Sequence, residues 1–524
     1  MMNSISRRDF LKLAGLLPLS LAAPKFINSL PTQQSGKPQN IIIIVFDAFS
    51  AHNISLYGYQ RETTPNIAHW AERAVVYHNH HAGGNFTVPG TASLLTGTFP
   101  WTHRAFGLDK KKVERSFLYK NIFSAFPNHY RIAYTHNPVA NGLLTQFSER
   151  MDEYVPLEKL FLANDHFIYS LFGKDEDTAS VSWIRTIKRK EEGYAYSLFL
   201  ARLYEKQRER VIKGLHSQFP SGIPHVAEDD YFLLEDAINW LDETLGNLPR
   251  PFMGYFHFMP PHFPYLTHRD FQGRFDGDDF LPEFKPLSVF ASGEKDGFEF
   301  LLRKRTNYDE YILYADREFG RLMNNLELSG MLDDAWVILT SDHGEMFERG
   351  ILGHTTPVLY QPVIKVPLMI FEPGQKSRRD VYENTSAVDL LPTLLHVTDQ
   401  QPANWMEGSI LPPFNPTNID TERSLYAVQA RTNAQYEPLT VATTVLIKGQ
   451  YKLMYFFGYD ELGGAGSERI EMYNLRNDPE EINDLSSSRR ETTAELLNEL
   501  KQKITEVNKP YLQASNTNKI SGNI

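Results

Sequence analysis

Apolar residues along the chain follow two patterns. Unbroken runs of β-branched and aromatic residues recur at "NIIIIVFDAF" (40–49), "RIAYTH" (131–136), "FMGYFHFM" (252–259), "AWVILTSDHGE" (335–345) and "VPLMIFEPG" (366–374). They lack the alternation of a half-exposed sheet and predict strands buried on both faces, as in parallel sheets. Helical spacing lies between them. In "YILYADREFGRLMNNLELSG", Ile312, Ala315, Phe319, Leu322, Met323 and Leu326 share one face, and Gly330 is placed to end the helix. "VDLLPTLLHVT" (388–398) predicts another helix, with Pro392 near its start. Strands alternating with helices predict an α/β fold with a doubly wound, mostly parallel sheet.

The character changes after about residue 415. "LTVATTVLIKGQYKLMYFFGY" reads as β-rich with a turn at Lys448-Gly449-Gln450, and a charged helix is expected over 490–507. We read residues 36–415 as the main domain and 416–512 as a smaller α+β subdomain. Segment 150–235, rich in charge and aromatics, is expected to be a helical insertion within the main domain, a lid or an insertion beside the active site; a solvated surface helix fits its pattern as well.

The first 30 residues differ again. Arg7 and Arg8 precede an apolar run from Leu13 to Ala23, too short to span a bilayer core that needs about 20 residues. A charged start, a short apolar middle and the small residues Ala22 and Ala23 predict an export signal, and SRRDFLK resembles the twin-arginine type. The twin-arginine export machinery is therefore an expected partner. The expected location is periplasmic or otherwise outside the cytoplasm, with tethering if the signal stays uncleaved. No other segment is apolar enough to be read as a transmembrane span.

Composition narrows the chemistry. At 42% hydrophobic and 22% charged residues, 524 residues are enough for a large core. A net charge of −11 offers no basic excess for nucleic-acid phosphates. The chain has no cysteine, which removes disulfides, thiolate metal sites and a cysteine nucleophile together.

Ligand-type residues gather where predicted strands end. Asp47 ends the first run, Asp342 and His343 the fourth, His136 the second, and His257 and His262 lie at and just beyond the third. Open α/β sheets bind ligands at the carboxyl ends of their strands. Two aspartates, a histidine and a hydroxyl make a shell for one divalent cation. Thr87, ahead of the apolar stretch at 92–95, supplies the hydroxyl. Beside a cation it becomes a competent alkoxide near neutral pH. The alternative is that Thr87 only caps a helix, and His136 fits a structural role as well as a ligand.

Taken together, the strings from "IIIIVFDAFSAHNISLYGYQRETTPN" through "TVPGTASLLTGTFPWTH", "YFHFMPPHFPY", "LTSDHGEMFERGILGH", "KVPLMIFEPG" and "MYNLRNDPEEINDL" resemble, in order, the sulfatases and their relatives in the alkaline phosphatase superfamily. The resemblance implies that Asp47, Thr87, Asp342 and His343 hold the metal and that Thr87 fills the nucleophile slot. It puts His262 near the leaving group, matches His103 to the "P-x-x-H" after "LLTG", and turns His354 toward the anion. The departures are informative. Sulfatases make formylglycine from Cys or Ser at the slot that holds Thr87. Thr91 stands for their arginine, Ala48 for their second aspartate, and "THNPVAN" (135–141) for their "GKWH". One carboxylate fewer and one imidazole more favour Mn²⁺ or Zn²⁺ over Ca²⁺ or Mg²⁺. Threonine in the slot resembles phosphoethanolamine and phosphoglycerol transferases and lipoteichoic acid synthases. The expectation is an exported metal-dependent hydrolase of phosphate or sulfate esters on small molecules or glycans, phosphate preferred. The alternatives are a phosphotransferase with a glycan or lipid acceptor, an inactive glycan-binding relative, and a sulfatase that works without formylglycine.

Overall fold

A computed structural model describes residues 39–107, 112–162, 206–207, 209–227, 230–291, 297–415 and 422–521. The expected export signal, nearly all of the linker after it and much of segment 150–235 lie outside the described residues. Gln39–Ile524 form one compact unit, and no helix among the described residues is long and apolar enough to cross a membrane.

The strands are β1 (Asn40–Phe46), β2 (Val75–His81), β3 (Tyr130–Thr135), β4 (Glu153–Tyr154), β5 (Phe252–Phe258), β6 (Ala335–Thr340), β7 (Phe347–Glu348), β8 (Ile351–Leu352), β9 (Leu368–Phe371), β10 (Arg379–Ser386), β11 (Leu425–Gln429), β12 (Ala442–Lys448), β13 (Tyr451–Phe457) and β14 (Glu468–Asn474). Eight build the main sheet in the order β10-β2-β9-β6-β1-β5-β3-β4. β1 is central and runs parallel to β5 and β6, with Ile43 opposite Tyr255 and Ile338. Its seven residues are all buried, which is why the run carries no polar position. Ile42, Ile44 and Phe46 point into one core with Ile312, Phe319 and Leu322 of the helix Phe298–Leu328. Ile41, Ile43 and Val45 point into the other, with Leu94 and Leu95 of the helix Thr87–Thr96 and Leu394 of the helix Leu390–Val397. Helices thus cover both faces, as the pattern predicts. Each isoleucine buried this way contributes about 1.5–3 kcal/mol.

Three features depart from the sequence reading. β9 runs antiparallel to both β2 and β6: an apolar run reports burial, not direction. β2 and β10 were not expected, because β10 is an edge strand whose "RDVYENTS" is half exposed and polar. The C-terminal helix, Arg490–Ser521, outruns its expected end. The four-stranded antiparallel sheet β11-β12-β13-β14 matches the expected subdomain, with Lys448 opposite Tyr451 and Gly449 at φ 55° in the turn. It packs Leu446 and Leu453 on Leu496 and Leu500 of the C-terminal helix, and Val428 N donates to Gly83 O at 2.9 Å, tying it to the loop that leads into Thr87.

Candidate active site

Because β1, β3, β5 and β6 are parallel, their carboxyl ends reach one edge together. Each delivers a side chain there: Asp47, Asn137, His257 and the pair Asp342-His343. The chain turns sharply after Asp47, with Ala48 at φ 58°, and Ser341 Oγ donates to Phe46 O at 2.7 Å while accepting from Phe49 N at 2.9 Å. That bond pair locks the ends of β1 and β6 together. On the other side, the helix Thr87–Thr96 comes within touch of Asp342 through Gly90: a Cβ there would stand 2.1 Å from Asp342 O.

Thr87 is the first residue of its helix. The cap position is Phe86, and no side chain caps the helix, so the capping alternative fails and the hydroxyl is free for other contacts. Thr87 Oγ1 lies 3.4 Å from His343 Nε2 and 3.4 Å from Asn137 Nδ2. His343 Nε2 lies 3.4 Å from Asp47 Oδ1 and 3.6 Å from Asp342 Oδ2. His257 Nε2 lies 3.2 Å from Asp47 Oδ2 and 3.9 Å from Asp342 Oδ2. Asp47, His257, Asp342 and His343 are fully buried. Asn137 Nδ2 donates to Asp47 Oδ2, and its Oδ1 accepts from Val139 N at 2.6 Å, capping the helix Pro138–Leu144.

The donor set fits one divalent cation. Ligands about 2.1 Å from a shared ion stand roughly 3–3.5 Å from each other, near the spacings here. Asp47, His257 and Asp342 each offer an atom within 4.8 Å of the others. Asp47 Oδ1 and His257 Nε2 are buried without a hydrogen-bond partner, as lone pairs kept for an ion would be. Tyr255 Oη and His257 Nδ1 are 3.4 Å apart. His343 Nδ1 donates to Gly344 O at 2.9 Å, leaving its Nε2 lone pair toward the cluster.

The buried charges also act on one another. Burial opposes ionisation of Asp47, but His262, His257 and His343 hold its carboxyl well below the ordinary range. Burial and the Asp47 charge push Asp342 up. Despite burial, the two aspartates raise His257 and lift His343 to about 9.

A second group flanks this cluster. The hairpin β7–β8 turns through Arg349 and Gly350, both at positive φ, and brings back His354. Its ring centroid is 4.2 Å from that of His343 and 4.9 Å from that of His262. His354 Nδ1 is 3.0 Å from Glu345 Oε1. Burial lowers the His354 pKa, with Glu345 opposing.

Sequence-predicted residues therefore divide. Asp47, Thr87, Asp342 and His343 meet, with His262 and His354 beside them. His103 is directed elsewhere: its Nδ1 accepts from Ala105 N at 3.1 Å and its Nε2 is 3.1 Å from Ser93 Oγ. Burial pushes it down to about 3; it braces the Thr87 helix from within. His136 stacks on Phe232 at 4.5 Å and its two ring nitrogens have no hydrogen-bond partner. Asn137 was missed. Its Asn-Pro context signals a helix cap, and only the fold turns the other end of the amide toward Thr87. His257 was noted at its strand end but not joined to the cation; the vacant carboxylate position at Ala48 was the available signal.

The chain is similar to known proteins over most of its length. The sulfatase family model matches residues 39–400, and a model for the C-terminal region of N-sulphoglucosamine sulphohydrolase matches residues 354–510. The choline-sulfatase of Rhizobium meliloti is 25% identical over 475 residues, covering 85% of this chain and 83% of the relative. The solved phosphonate monoester hydrolase of Agrobacterium radiobacter superposes with a TM-score of 0.62 at 18% identity, covering 90% of this chain and 96% of that one. A structure solved in complex with its substrate D-glucosamine-2-N,6-O-disulfate superposes with a TM-score of 0.60 at 19% identity, covering 91% and 99%. The chain belongs to the sulfatase family, in the alkaline phosphatase superfamily, and is an ester hydrolase of that family.

Proposed function

We propose that the protein is an exported metal-dependent hydrolase in which Thr87 attacks a phosphate, phosphonate or sulfate ester of a small molecule or glycan. The observation that carries this reading is the hydroxyl of Thr87, free of any capping bond and 3.4 Å from His343 Nε2. Asp47, Asp342, His257 and His343 would hold the ion, with Thr87 beside them; two carboxylates and two imidazoles suit Mn²⁺ or Zn²⁺. When bound, a divalent cation lowers the pKa of an adjacent hydroxyl and stabilises charge on the ester oxygens.

The protein's own residues supply the rest. Asn137 and His343 fix the direction of the Thr87 oxygen. That oxygen, its proton already lost to water, forms the bond to phosphorus or sulfur as the leaving oxygen departs with its electron pair. His262 or His354, on the same side of the cluster, protonates the leaving oxygen. Water then resolves the ester formed on Thr87. A threonine cannot be oxidised to an aldehyde, which favours phosphoesters as the preferred class. Arg7 and Arg8 support export through the twin-arginine route. The test is Thr87→Ala assayed on aryl phosphates, phosphonates and sulfates with defined metals. Loss of turnover on every class, with the ion retained, is expected; undiminished turnover rules the reading out.

A further inference from the structure

Glu345 has no part in the scheme above, yet it is only 1% exposed at the margin of the cluster. A carboxylate buried this deeply loses several kcal/mol of hydration unless its oxygens are matched. Both are matched here. Oε1 is 3.0 Å from His354 Nδ1, and Tyr265 Oη donates to Oε2 at 3.1 Å. The backbone around His354 is pinned as well: Asn85 Nδ2 donates to His354 O at 2.8 Å and to Thr356 O at 2.6 Å, and Gly353 N donates to Met346 O at 2.9 Å. His262 is held differently, its Nδ1 being 2.7 Å from the carbonyl of the next residue, the half-exposed Phe263. Of the two histidines, only His354 has its ring direction set by a buried acid.

We propose that Glu345 is a positioning residue: it retains the Nδ1 proton of His354 and reserves Nε2 for proton exchange with the ester oxygens. This rests on the function proposed above and assigns its proton transfers to His354. In the first half-reaction the His354 Nε2–H bond breaks and an O–H bond forms on the leaving oxygen, which takes the electron pair of the cleaved ester bond. The imidazolium thereby becomes neutral imidazole, its Nδ1–H still donated to Glu345. In the second, a water proton moves to Nε2 as the water oxygen bonds to phosphorus or sulfur. The Thr87 oxygen leaves with its pair in the state in which it attacked. A carboxylate acceptor at Nδ1 stabilises the imidazolium at both ends of the cycle, in the manner of the third member of a nucleophile–base–orienter set.

The test exploits leaving-group chemistry, because a 4-nitrophenyl ester departs without a proton and a phenyl ester needs one. Glu345→Gln is expected to slow first-turnover release of phenol from the phenyl ester about 100-fold, the scale of general acid–base catalysis, and to leave first-turnover release of 4-nitrophenol within about threefold; steady-state kcat, which includes the shared hydrolysis of the Thr87 ester, should fall on both. His354→Asn should show the same split, and the double variant should be no worse than His354→Asn. Tyr265→Phe, which keeps the His354 contact, should retain the wild-type split. Equal losses of first-turnover rate on both esters, or additive losses in the double variant, would overturn the proposal. Should Glu345→Gln fail to fold, nitrogen-15 shifts of His354 in the wild type decide: a proton on Nδ1 is expected at every pH of activity, and a neutral ring with its proton on Nε2 overturns it. Thr87→Ala separates the two layers, since turnover surviving that change sinks the nucleophile assignment whatever Glu345→Gln shows.

Discussion

Asn137 joins two jobs that substitution can pull apart. Its Oδ1 accepts from Val139 N and Ala140 N at 2.6 and 3.3 Å, while its Nδ2 donates to Asp47 and, at 3.4 Å, to Thr87. The cap fixes which end of the amide faces the cluster. Asn137→Ala loses the cap, at about 1 kcal/mol. It also removes a hydrogen bond from the fully buried Asp47 carboxylate, about 1.5–3 kcal/mol. The variant should thus be destabilised by roughly 2.5–4 kcal/mol. Asn137→Ser restores a capping oxygen but is too short to reach Asp47, so it should recover about 1 kcal/mol of stability. The catalytic loss has no such recovery. If the bonds to Asp47 and Thr87 hold the attacking oxygen in place, removing 1.5–3 kcal/mol at about 1.4 per decade lowers kcat roughly 10- to 100-fold in both variants. Urea unfolding and kcat on one 4-nitrophenyl ester measure the two effects side by side. A serine variant that regained kcat together with stability, or an alanine variant within about twofold of wild type, would reduce Asn137 to a helix cap.

Other consequences are as direct. Thr87→Ser should keep kcat within about tenfold while Thr87→Ala loses at least about 1,000-fold, because only the former retains an attacking oxygen. His257→Ala should weaken binding of the divalent ion at least about tenfold in a metal titration, and chelation of the wild type should lower Tm, since an ion held at 100 times its Kd contributes about 2.7 kcal/mol. Acid should destabilise the fold through buried neutral histidines. Burial takes His80 down to about 4 and His103 to about 3, whereas the unfolded chain protonates near 6.5. Their contribution is complete above pH 6.5 and is lost as pH falls toward the folded values. At pH 5 the loss is about 2 kcal/mol per histidine; a denaturant midpoint that stays flat between pH 7 and 5 would contradict it, and His103→Gln should flatten the slope.

Much of the framework is readable in the chain because burial leaves a mark on composition. β1 carries seven consecutive buried residues ending just before Asp47, and Gly449 marks the β12–β13 turn, where its φ is positive. What stayed hidden depends on neighbours. The polarity of β10 follows from its edge position, and the direction of β9 is set by which strands it lies between. His257 stands opposite Val45 and Thr135; in one dimension it is a histidine in an apolar run, and only the convergence of three strand ends turns it toward Asp47. His103 shows the converse. Motif spacing assigned it a site role, but the turn at Arg104, φ 61°, leaves its ring against Ser93.

The central claim is that the Thr87 oxygen becomes covalently bound to the group it removes from the ester. Rapid acid quench of the metal-loaded enzyme during turnover of an aryl ester, followed by mass analysis of the peptide spanning residues 83–97, tests it most directly. The account predicts that this peptide gains the mass of the transferred group at Thr87 and that the gain disappears in Thr87→Ala. An unmodified peptide at full turnover, or the group found on another residue, would contradict it.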